Sequence, residues 1–257
     1  MITSTANAQV KNVITLLKKS GERKKRGLFV IEGIRMFTEL PKDRIEKIYV
    51  SESFLNENKE LLKEYEYETV ADNVFAQMSD TKTPQGIMAI VKMLQYDISD
   101  IVKGGMPVVV MLENIQDPGN LGTIMRTAEG AGATGIIMSK DTVDIYNPKT
   151  IRSTMGALFR MPFIYVEDML TVADALRKEN IALLAAHLSG DKNYYSENLK
   201  RPIALMIGNE GNGLSKALTD KADVLVKIPM EGQLESLNAA VSAAIILYEA
   251  YRQRAEI

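Results

Sequence analysis

Three segments in the C-terminal half of the chain combine glycines, small amides and single ionisable side chains. They are residues 114–126 (NIQDPGNLGTIMR), 207–215 (IGNEGNGLS) and 228–238 (IPMEGQLESLN). Glycine-rich turns let backbone amides approach a ligand closely, while carboxylate, guanidinium and amide groups can orient a substrate or handle a proton. The candidate catalytic residues are Asn120, Arg126, Glu210, Ser236 and Asn238.

Each of these polar residues also has a structural interpretation. Asn120 and Ser236 can serve as helix N-caps, and Asn238 can be a polar residue of a first helical turn. Arg126 can be a surface residue that forms an ion pair with Glu129, one helical turn further on. Taken one segment at a time, the functional and the structural interpretation therefore both stay open.

The glycine patterns do not match the common nucleotide-binding loops. Residues 119–122 (GNLG) are not a Gly-x-Gly-x-x-Gly fingerprint, although Asp141 follows about 20 residues later. Residues 208–213 resemble a phosphate loop, but no Lys-Ser/Thr pair follows in the required place. This turn is instead typical of backbone amides that approach a ligand, with Glu210 as its only ionisable group. A solvated turn carboxylate is the alternative.

Composition narrows the possible chemistry. The 257 residues are 46% apolar and 25% charged, which is ordinary for a globular protein of one large or two modest domains. The absence of cysteine excludes thiolate chemistry and disulfides, and the single histidine, His187, excludes a metal site with two histidine ligands. Because no spaced run of Asp and Glu is visible either, we expect no metal.

Hydropathy and the first residues argue against membrane and secretory classes. No window reaches the roughly 18 unbroken apolar residues of a membrane span. The start of the sequence shows no basic region followed by an apolar stretch, so no secretory signal is evident. We therefore expect a cytoplasmic protein.

The distribution of charge, rather than its total, suggests nucleic acid. The net charge is −2 with a pI near 5.7, which taken over the whole chain argues against nucleic-acid binding. Residues 1–26, however, carry seven cations and one acid, a local net charge of +6. An RNA-binding surface needs such a local patch, and Arg23, Lys24, Lys25 and Arg26 are its centre. A solvated turn is the alternative.

Periodicity predicts an α/β organisation in the first part of the chain. Apolar residues at 10, 13, 14 and 17 indicate an amphipathic helix over 6–19, and 21–27 is predicted as a charged turn. Further helices are predicted over 33–40, 54–65 and 73–79, and strands over 28–31, 45–51, 69–71 and 86–91. Residues 95–106 resemble a junction, since Gly104 and Gly105 directly precede Met106 and Pro107.

A second alternation of strands and helices follows. Strands are predicted over 108–112, 135–139, 162–166, 181–187, 203–207 and 224–228. Helices are predicted near 121–131, 148–157, 168–179 and 214–220, with a long last helix over 237–254. The strand runs lack polar alternation, which is typical of a parallel sheet covered on both faces. Leu237, Val241, Ala244, Ile245 and Tyr248 are the predicted buried stripe of the last helix.

Together, the three segments resemble the three motifs of the SpoU/TrmH-type RNA ribose 2′-O-methyltransferases, in the SPOUT superfamily. The resemblance covers about residues 107–254. The earlier part resembles the small L30e-like RNA-binding domain of many members, through residues 4–7 (STAN), 29–33 (FVIEG) and 82–89 (KTPQGIMA). It implies an L30e-like domain over 1–95, a linker over 96–106 and a SPOUT methyltransferase domain over 107–257. The implied fold is α/β, with a deep trefoil knot in the parallel-sheet domain.

The resemblance also assigns residues. It implies that S-adenosylmethionine binds in the knot and that the protein is a homodimer. Asn120 and Arg126 match the polar pair of the first motif, Glu210 the acid of the second, and Ser236 and Asn238 the third. The implied cofactor-binding positions are Gly208, Asn209, Ile228, Met230 and Leu237.

The implied reaction is methylation of a ribose 2′-hydroxyl of RNA, with large-subunit (23S) ribosomal RNA favoured over transfer RNA because of the added first domain. The resemblance places Arg126 at the hydroxyl. An arginine side chain is an awkward base because it keeps its proton in proteins, so alkoxide stabilisation and a phosphate grip are the alternatives. A catalytically idle RNA-binding protein is the main rival, and a nucleotide-dependent oxidoreductase lacks a complete fingerprint.

The last helix bears on assembly. Small residues at 239, 240, 243 and 244 lie beside Ile245, Ile246 and Tyr248. This is more apolar surface than one core face requires, although a fully buried helix would look the same. By resemblance, we expect this helix to pair with its two-fold mate.

Overall fold

The computed structural model describes residues 1–233 and 236–255. These residues form two compact units. The first unit comprises residues 1–94 and 144–159, and the second comprises 95–143 and 160 onward. The strands are β1 (Leu28–Glu32), β2 (Ile45–Ser51), β3 (Glu68–Val70), β4 (Ile87–Lys92), β5 (Val108–Leu112), β6 (Gly135–Ser139), β7 (Phe163–Val166), β8 (Ala182–Ala186), β9 (Lys192–Asn193), β10 (Ile203–Ile207) and β11 (Val224–Lys227).

The helices follow the same numbering along the chain. They are α1 (Ala8–Lys18), α2 (Ser20–Arg26), α3 (Ile34–Thr38), α4 (Glu52–Glu57), α5 (Asp72–Met78), α6 (Ile98–Ile101), α7 (Pro118–Gly130), α8 (Pro148–Thr154), α9 (Met169–Lys178), α10 (Lys216–Thr219) and α11 (Ala239–Arg254). Short 3-10 helices occur at Lys42–Arg44, Ala157–Phe159 and Tyr194–Ser196.

The first unit is built on a mixed sheet. Among the described residues this sheet has four strands in the order β1-β4-β2-β3, with β4 antiparallel to both β1 and β2. Helix α1 begins at the N-cap Asn7, whose side chain accepts from the Gln9 N–H, and it packs Val10, Val13 and Leu16 against the sheet. The predicted strands and the amphipathic first helix of this part are confirmed.

The predicted charged turn over 21–27 is wrong, because residues 20–26 form helix α2, which ends at Gly27 in the left-handed conformation. Arg23 lies on the inner side of this helix and is only 3% exposed. It donates to the carbonyls of Leu16 and Leu17 at 2.7 and 3.0 Å, and to Asp144 Oδ2 at 2.5 Å. Arg23 is therefore committed to the fold and does not belong to an exposed basic patch.

Residues 144–159 belong to the first unit although they lie between two strands of the second. Phe29 and Tyr146 pack ring against ring with centroids 4.5 Å apart, and Arg152 pairs with Asp80 at 3.0 Å. The chain thus leaves the second unit after β6 and returns before β7. The predicted assignment of 1–95, 96–106 and 107–257 to a binding domain, a linker and a catalytic domain stays a prediction.

The second unit confirms the predicted parallel sheet. Within the described residues, seven strands follow the order β7-β6-β5-β10-β8-β11-β9, and all their pairings are parallel. The strands β5, β6 and β10 are buried along their whole length. Since strands of a parallel sheet end at the same edge, the loops after β5, β8, β10 and β11 are close neighbours. The trefoil knot stays a prediction.

Helix α11 packs against α7 and β10, with a face that differs from the predicted one. Its buried residues are Ala239, Ala240, Ala243, Ile246, Leu247 and Ala250. The predicted stripe is wrong, because Val241 and Tyr248 are 47% and 50% exposed. Four of the six buried residues are alanines, whose small side chains allow α11 to approach its neighbours closely.

Among the described residues, no helix is long and apolar enough to cross a membrane.

Arg23→Ala is expected to destabilise the protein by about 3 kcal/mol, because it leaves the Asp144 carboxylate and two carbonyls without their donor in a poorly hydrated place. The measurement is urea unfolding followed by circular dichroism. Lys24→Ala, on the exposed side of the same helix, is the matched control and should change stability by less than about 0.5 kcal/mol. Equal effects of the two variants would contradict the structural role of Arg23.

Candidate active site

A cavity of about 660 Å³ opens at the carboxyl edge of the parallel sheet. Its walls come from the ends of β8, β10 and β11 and from the start of α11. The lining residues include Gly208, Asn209, Glu210, Ile228, Met230, Ser236 and Leu237. All five positions predicted to hold the cofactor therefore border one space, together with two of the predicted catalytic residues. Residues 234 and 235 of the third segment lie outside the described residues.

The first segment begins α7 with Asp117 as its N-cap. The Asp117 side chain accepts from the Asn120 N–H at 2.9 Å, and Pro118 occupies the first helical position, where its missing N–H costs nothing. The N-cap interpretation of Asn120 is therefore wrong. Because Asp117 caps the helix, the amide side chain of Asn120 is available for contacts outside it.

Asn120, Glu210 and Asn238 form a continuous chain of hydrogen bonds. The Asn120 Nδ2 donates to Glu210 Oε1 at 2.9 Å, and the Asn238 Nδ2 donates to Asn120 Oδ1 at 2.9 Å. Glu210 also accepts from the N–H groups of Gln116 and Asp117, both at 3.1 Å. One carboxylate thus connects residues from all three predicted segments.

These contacts set the charge of Glu210. Burial by itself would raise the pKa of the Glu210 carboxyl, but the hydrogen bonds from the Asn120 amide and from backbone N–H groups outweigh burial and hold the pKa below its usual value. Glu210 is therefore ionised at neutral pH. Since a folded-state pKa below the unfolded value adds stability only while the group is charged, this contribution is lost as the pH falls through the lowered pKa.

The turn over 208–213 is closed by its own backbone. Asn209 and Gly213 exchange two backbone hydrogen bonds, at 3.0 and 2.9 Å. A Cβ atom on Gly208 would lie 2.1 Å from both the Gly213 carbonyl carbon and the Leu214 nitrogen. Only glycine allows the two ends of the turn to pass each other this closely, and the turn forms a wall of the cavity.

The third segment leads into α11, and its cap differs from the expected one. Asn238, rather than Ser236, is the N-cap, and its Oδ1 accepts from the N–H groups of Ala240 and Val241 at 2.8 and 3.3 Å. Its Nδ2 remains for Asn120. Ser236 is exposed at the cavity, and among the described residues no hydrogen bond to its hydroxyl is present.

Arg126 lies outside the hydrogen-bonded cluster of Asn120, Glu210 and Asn238. It lies six residues after Asn120 on α7, about 9 Å further along the axis and about 120° around it. Its side chain is exposed and has no ion pair or hydrogen bond with the described residues. The expected pair with Glu129 is wrong, because Glu129 binds Arg160 at 2.8 Å.

Sequence reasoning missed the residues that hold the turn in place. Glu113 accepts from both the N–H and the hydroxyl of Ser215, at 2.6 and 2.7 Å. Gln116 holds the turn through its backbone N–H, which donates to Glu210. The side-chain pattern of a sequence does not reveal such a backbone donor. Asp117 was recoverable, since Asp followed by Pro is a known signal for a helix start.

The basic segment of the first unit is only partly as predicted. Lys24, Lys25 and Arg26 are exposed on α2, while Arg23 is buried. Arg26 also donates to the Asn12 side chain. Three cations of the predicted four are thus accessible to a polyanion. Elsewhere, the described residues contain no group of three His, Asp or Glu side chains that could hold a metal ion.

Comparison with known families gives two matches. Residues 107–248 match the model of the SpoU rRNA methylase family. Residues 7–89 match that of the MRM3-like substrate-binding domain. The first match covers the whole described cavity, from β5 to most of α11.

Similar proteins extend over nearly the full chain. One is the 23S rRNA (guanosine(2553)-2′-O)-methyltransferase RlmP of Bacillus subtilis, 32% identical over 96% of this chain and 97% of its own. Another is the 23S rRNA (uridine(2479)-2′-O)-methyltransferase of Streptomyces viridochromogenes, 32% identical over 98% and 92%. The crystal structure of the SpoU methyltransferase AviRb from Streptomyces viridochromogenes with the cofactor AdoMet is similar with a TM-score of 0.87, at 30% identity over 98% of this chain and 100% of that chain.

Gly208→Ala is expected to lower the free energy of unfolding by about 2 kcal/mol or more, because the added methyl group collides with backbone that cannot rotate away. Gly211→Ala is the matched control in the same turn. Its Cβ would have only the Asn209 Oδ1 nearby, at 3.5 Å, so thermal unfolding should be nearly unchanged. Equal tolerance at both positions would show that the close approach at Gly208 is not required.

Proposed function

This chain belongs to the SpoU rRNA methylase family, and we propose that it transfers the methyl group of S-adenosylmethionine to a ribose 2′-hydroxyl of 23S ribosomal RNA. The single observation that carries this proposal is the cavity at the carboxyl edge of the sheet, bordered by the ionised Glu210 and its hydrogen-bonded partners Asn120 and Asn238.

The cavity suits this cofactor in size and in the character of its walls. Its volume of about 660 Å³ lies within the range of about 300–1,000 Å³ that is usual for small-molecule sites. Apolar side chains such as Ile228 and Leu237 alternate with exposed backbone of the turn at 208–213. When bound, S-adenosylmethionine supplies a methyl group on a positively charged sulfur that departs as a neutral thioether, a transfer in which a metal has no part to play.

The residues of the chain must then orient the ribose and manage its proton. Glu210 is a poor general base, because a lowered pKa weakens its affinity for a proton. Its carboxylate instead accepts a hydrogen bond from the Asn120 Nδ2 and so orients that amide. The Asn120 Oδ1 in turn accepts a hydrogen bond from the Asn238 Nδ2. This chain of hydrogen bonds presents a rigid polar edge beside the cavity, on which a sugar hydroxyl can be aligned. Ser236 adds an exposed hydroxyl at the same edge.

Arg126 is the proposed residue at the reacting hydroxyl. Because an arginine guanidinium keeps its positive charge in proteins, it stabilises the forming alkoxide or holds the neighbouring phosphate more readily than it accepts a proton. Arg126 is exposed and forms no ion pair with the described residues, which leaves the guanidinium available for RNA.

Ribosomal RNA is favoured over transfer RNA by the extent of the similarity. Both 23S rRNA methyltransferases cover the first unit as well as the second. Their names specify a guanosine in one case and a uridine in the other, so the group that their substrates share is the ribose and not a base. The exposed Lys24, Lys25 and Arg26 supply cations for phosphates in the first unit.

A homodimer is proposed on the outer face of α11. Val241, Tyr248 and Tyr251 are 46–50% exposed there, spaced so that they share one side of the helix. Such an apolar stripe is unusual on a helix that faces water and is typical of an interface. A two-fold pairing of α11 buries it.

The same pairing accounts for the isolation of Arg126. Gly130, one helical turn after Arg126 on α7, lies against the Tyr248 hydroxyl, because a Cβ atom at this position would be 3.2 Å from that oxygen. Arg126 therefore lies beside the proposed interface. We propose that the arginine of one protomer serves the polar cluster of its partner, because its own cluster lies on another side of α7.

The function is tested by calorimetry and by mapping. S-adenosylmethionine, or its demethylated product, should bind with chelator present, and 2′-O-methyl mapping of 23S rRNA from cells with and without this protein should reveal one lost site. If the lost methylation site lies in transfer RNA, then transfer RNA and not 23S rRNA is the substrate. Absence of cofactor binding, together with RNA binding, would favour the idle RNA-binding protein, whereas binding of a nicotinamide dinucleotide alone would overturn the methyltransferase assignment.

Arg126→Ala should reduce methyl transfer at saturating RNA by about 100-fold or more if the guanidinium acts at the hydroxyl. Cofactor affinity should not change, because Arg126 does not border the cavity. If the guanidinium only holds phosphate, saturating RNA should restore most of the rate. Arg126→Lys should rescue little in the first case, since a point charge cannot replace a planar fork. Near-normal single-turnover rates for Arg126→Ala would remove the residue from the mechanism.

Tyr248→Glu should convert the homodimer to a monomer, because the apolar interface would have to bury a charge. Light scattering at micromolar concentration measures the mass. Lys178→Glu, which places the same carboxylate at an exposed position of α9, is the control and should leave the dimer intact. A wild-type protein that is monomeric in this experiment would refute the proposed pairing.

Replacing Lys24, Lys25 and Arg26 by alanine should weaken RNA binding and flatten its dependence on salt, because each lost phosphate contact lowers the slope. Cofactor binding by the second unit should persist. Lys59→Ala, which removes an exposed lysine elsewhere in the first unit, serves as the control. If RNA affinity and slope stay the same in the triple variant, these cations are only a solvated surface.

A further inference from the structure

The side chain of Asn209 is engaged inside the protein although it borders the cavity. Its Oδ1 accepts from the N–H groups of Gly211 and Asn212, at 2.8 and 3.0 Å. Its Nδ2 donates to the carbonyl oxygen of Asn114 at 2.8 Å. An asparagine amide offers two acceptor positions and two hydrogens, so three of these four are used within the chain.

Asn114 has the conformation that receives this bond. Its φ is +57°, in the left-handed region that asparagine tolerates better than other residues with a Cβ. Its N–H donates to Ser139 Oγ at 2.8 Å, which fixes the end of β5. Asn114 does not border the cavity among the described residues. Its carbonyl nevertheless anchors the turn that forms the cavity wall.

We propose that Asn209 is a positioning residue, whose side chain folds the turn over 208–213 and fastens it to Asn114, instead of contacting the cofactor. The turn carries both the close-packed Gly208 and the carboxylate of Glu210. Fastening it therefore places a wall of the cavity and the polar edge at the same time. This inference rests on the proposed function, because it concerns how the same cavity keeps its shape.

Variants of both partners of the bond between the Asn209 side chain and the Asn114 carbonyl separate a positioning role from direct contact with the cofactor. Asn209→Ala removes all three side-chain bonds, and Asn209→Asp keeps the acceptor for the turn but replaces the donor that faces the Asn114 carbonyl. Asn114→Ala disfavours the left-handed conformation and displaces the carbonyl, although residue 114 does not border the cavity; it also removes the bond that the Gln116 side chain donates to Asn114 Oδ1. Asn180→Ala is the matched control, since Asn180 has a φ of +58° and borders neither the turn nor the cavity.

The readouts are the Kd of S-adenosylhomocysteine by calorimetry, the rate of methyl transfer at saturating cofactor and RNA, and the melting temperature. Asn209→Ala, Asn209→Asp and Asn114→Ala should each raise the Kd and lower the saturated rate by about tenfold or more, because the wall and Glu210 move together. The double variant Asn114→Ala/Asn209→Asp should be little worse than either single one, since both break the same bond. Asn180→Ala should lower only the melting temperature.

Three results would overturn the inference. A raised Kd for the Asn209 variants with a normal Kd for Asn114→Ala would mean that Asn209 touches the cofactor directly. Normal Kd values and rates for all three single variants would mean that neither residue positions the turn. An equal defect in Asn180→Ala would trace the effect to general destabilisation. Failure of the wild-type protein to bind S-adenosylhomocysteine would instead refute the proposed function, which separates the two failures.

Discussion

The carboxylate of Glu210 is the group on which the geometry of the site depends. It accepts hydrogen bonds from the Asn120 amide and from the N–H groups of Gln116 and Asp117, about 90 residues earlier in the chain. Asn238 joins through Asn120. A carboxylate that receives several donors stays ionised, and an ionised carboxylate in turn holds those donors more firmly than a neutral group would. Hydrogen bonds to one charged group therefore hold three loop segments together. Each of these segments follows a strand of the parallel sheet.

Helix caps decide which polar side chains are left for this arrangement. At the start of α7 the capping role falls to Asp117, and Pro118 fills a position that needs no donor. Asn120 can therefore extend outward. At the start of α11, Asn238 divides its amide, because the oxygen caps the helix while the nitrogen reaches Asn120. One residue thus fixes the beginning of a helix and extends the polar cluster, which couples the position of α11 to that of the cavity.

The sequence predicted the parallel sheet and the site positions better than it predicted their partners. Buried strands such as β5 and β10 are continuous apolar runs, and this lack of polar alternation is what identified them in the sequence. The capping roles considered for Asn120 and Ser236 fall instead to Asp117 and Asn238, because several neighbouring polar residues can each cap a helix and only the folded backbone selects one. Arg23 was assigned to a basic patch for a similar reason, since charge clustering does not reveal that one side chain points toward Asp144. The two-sided apolar character of α11 hid which face is buried.

That two-sided character of α11 links assembly to chemistry. A helix with alanines inward and Val241, Tyr248 and Tyr251 outward leaves apolar surface exposed in a single chain, and water makes such an arrangement unfavourable unless another surface covers it. Arg126 lies about 9 Å along the axis of α7 from Asn120 and about 120° around it, so the two side chains leave different sides of the helix. In the proposed dimer, a second copy across α11 would cover the stripe and bring an arginine from outside. One apolar surface would then serve both to hold the dimer together and to complete the site.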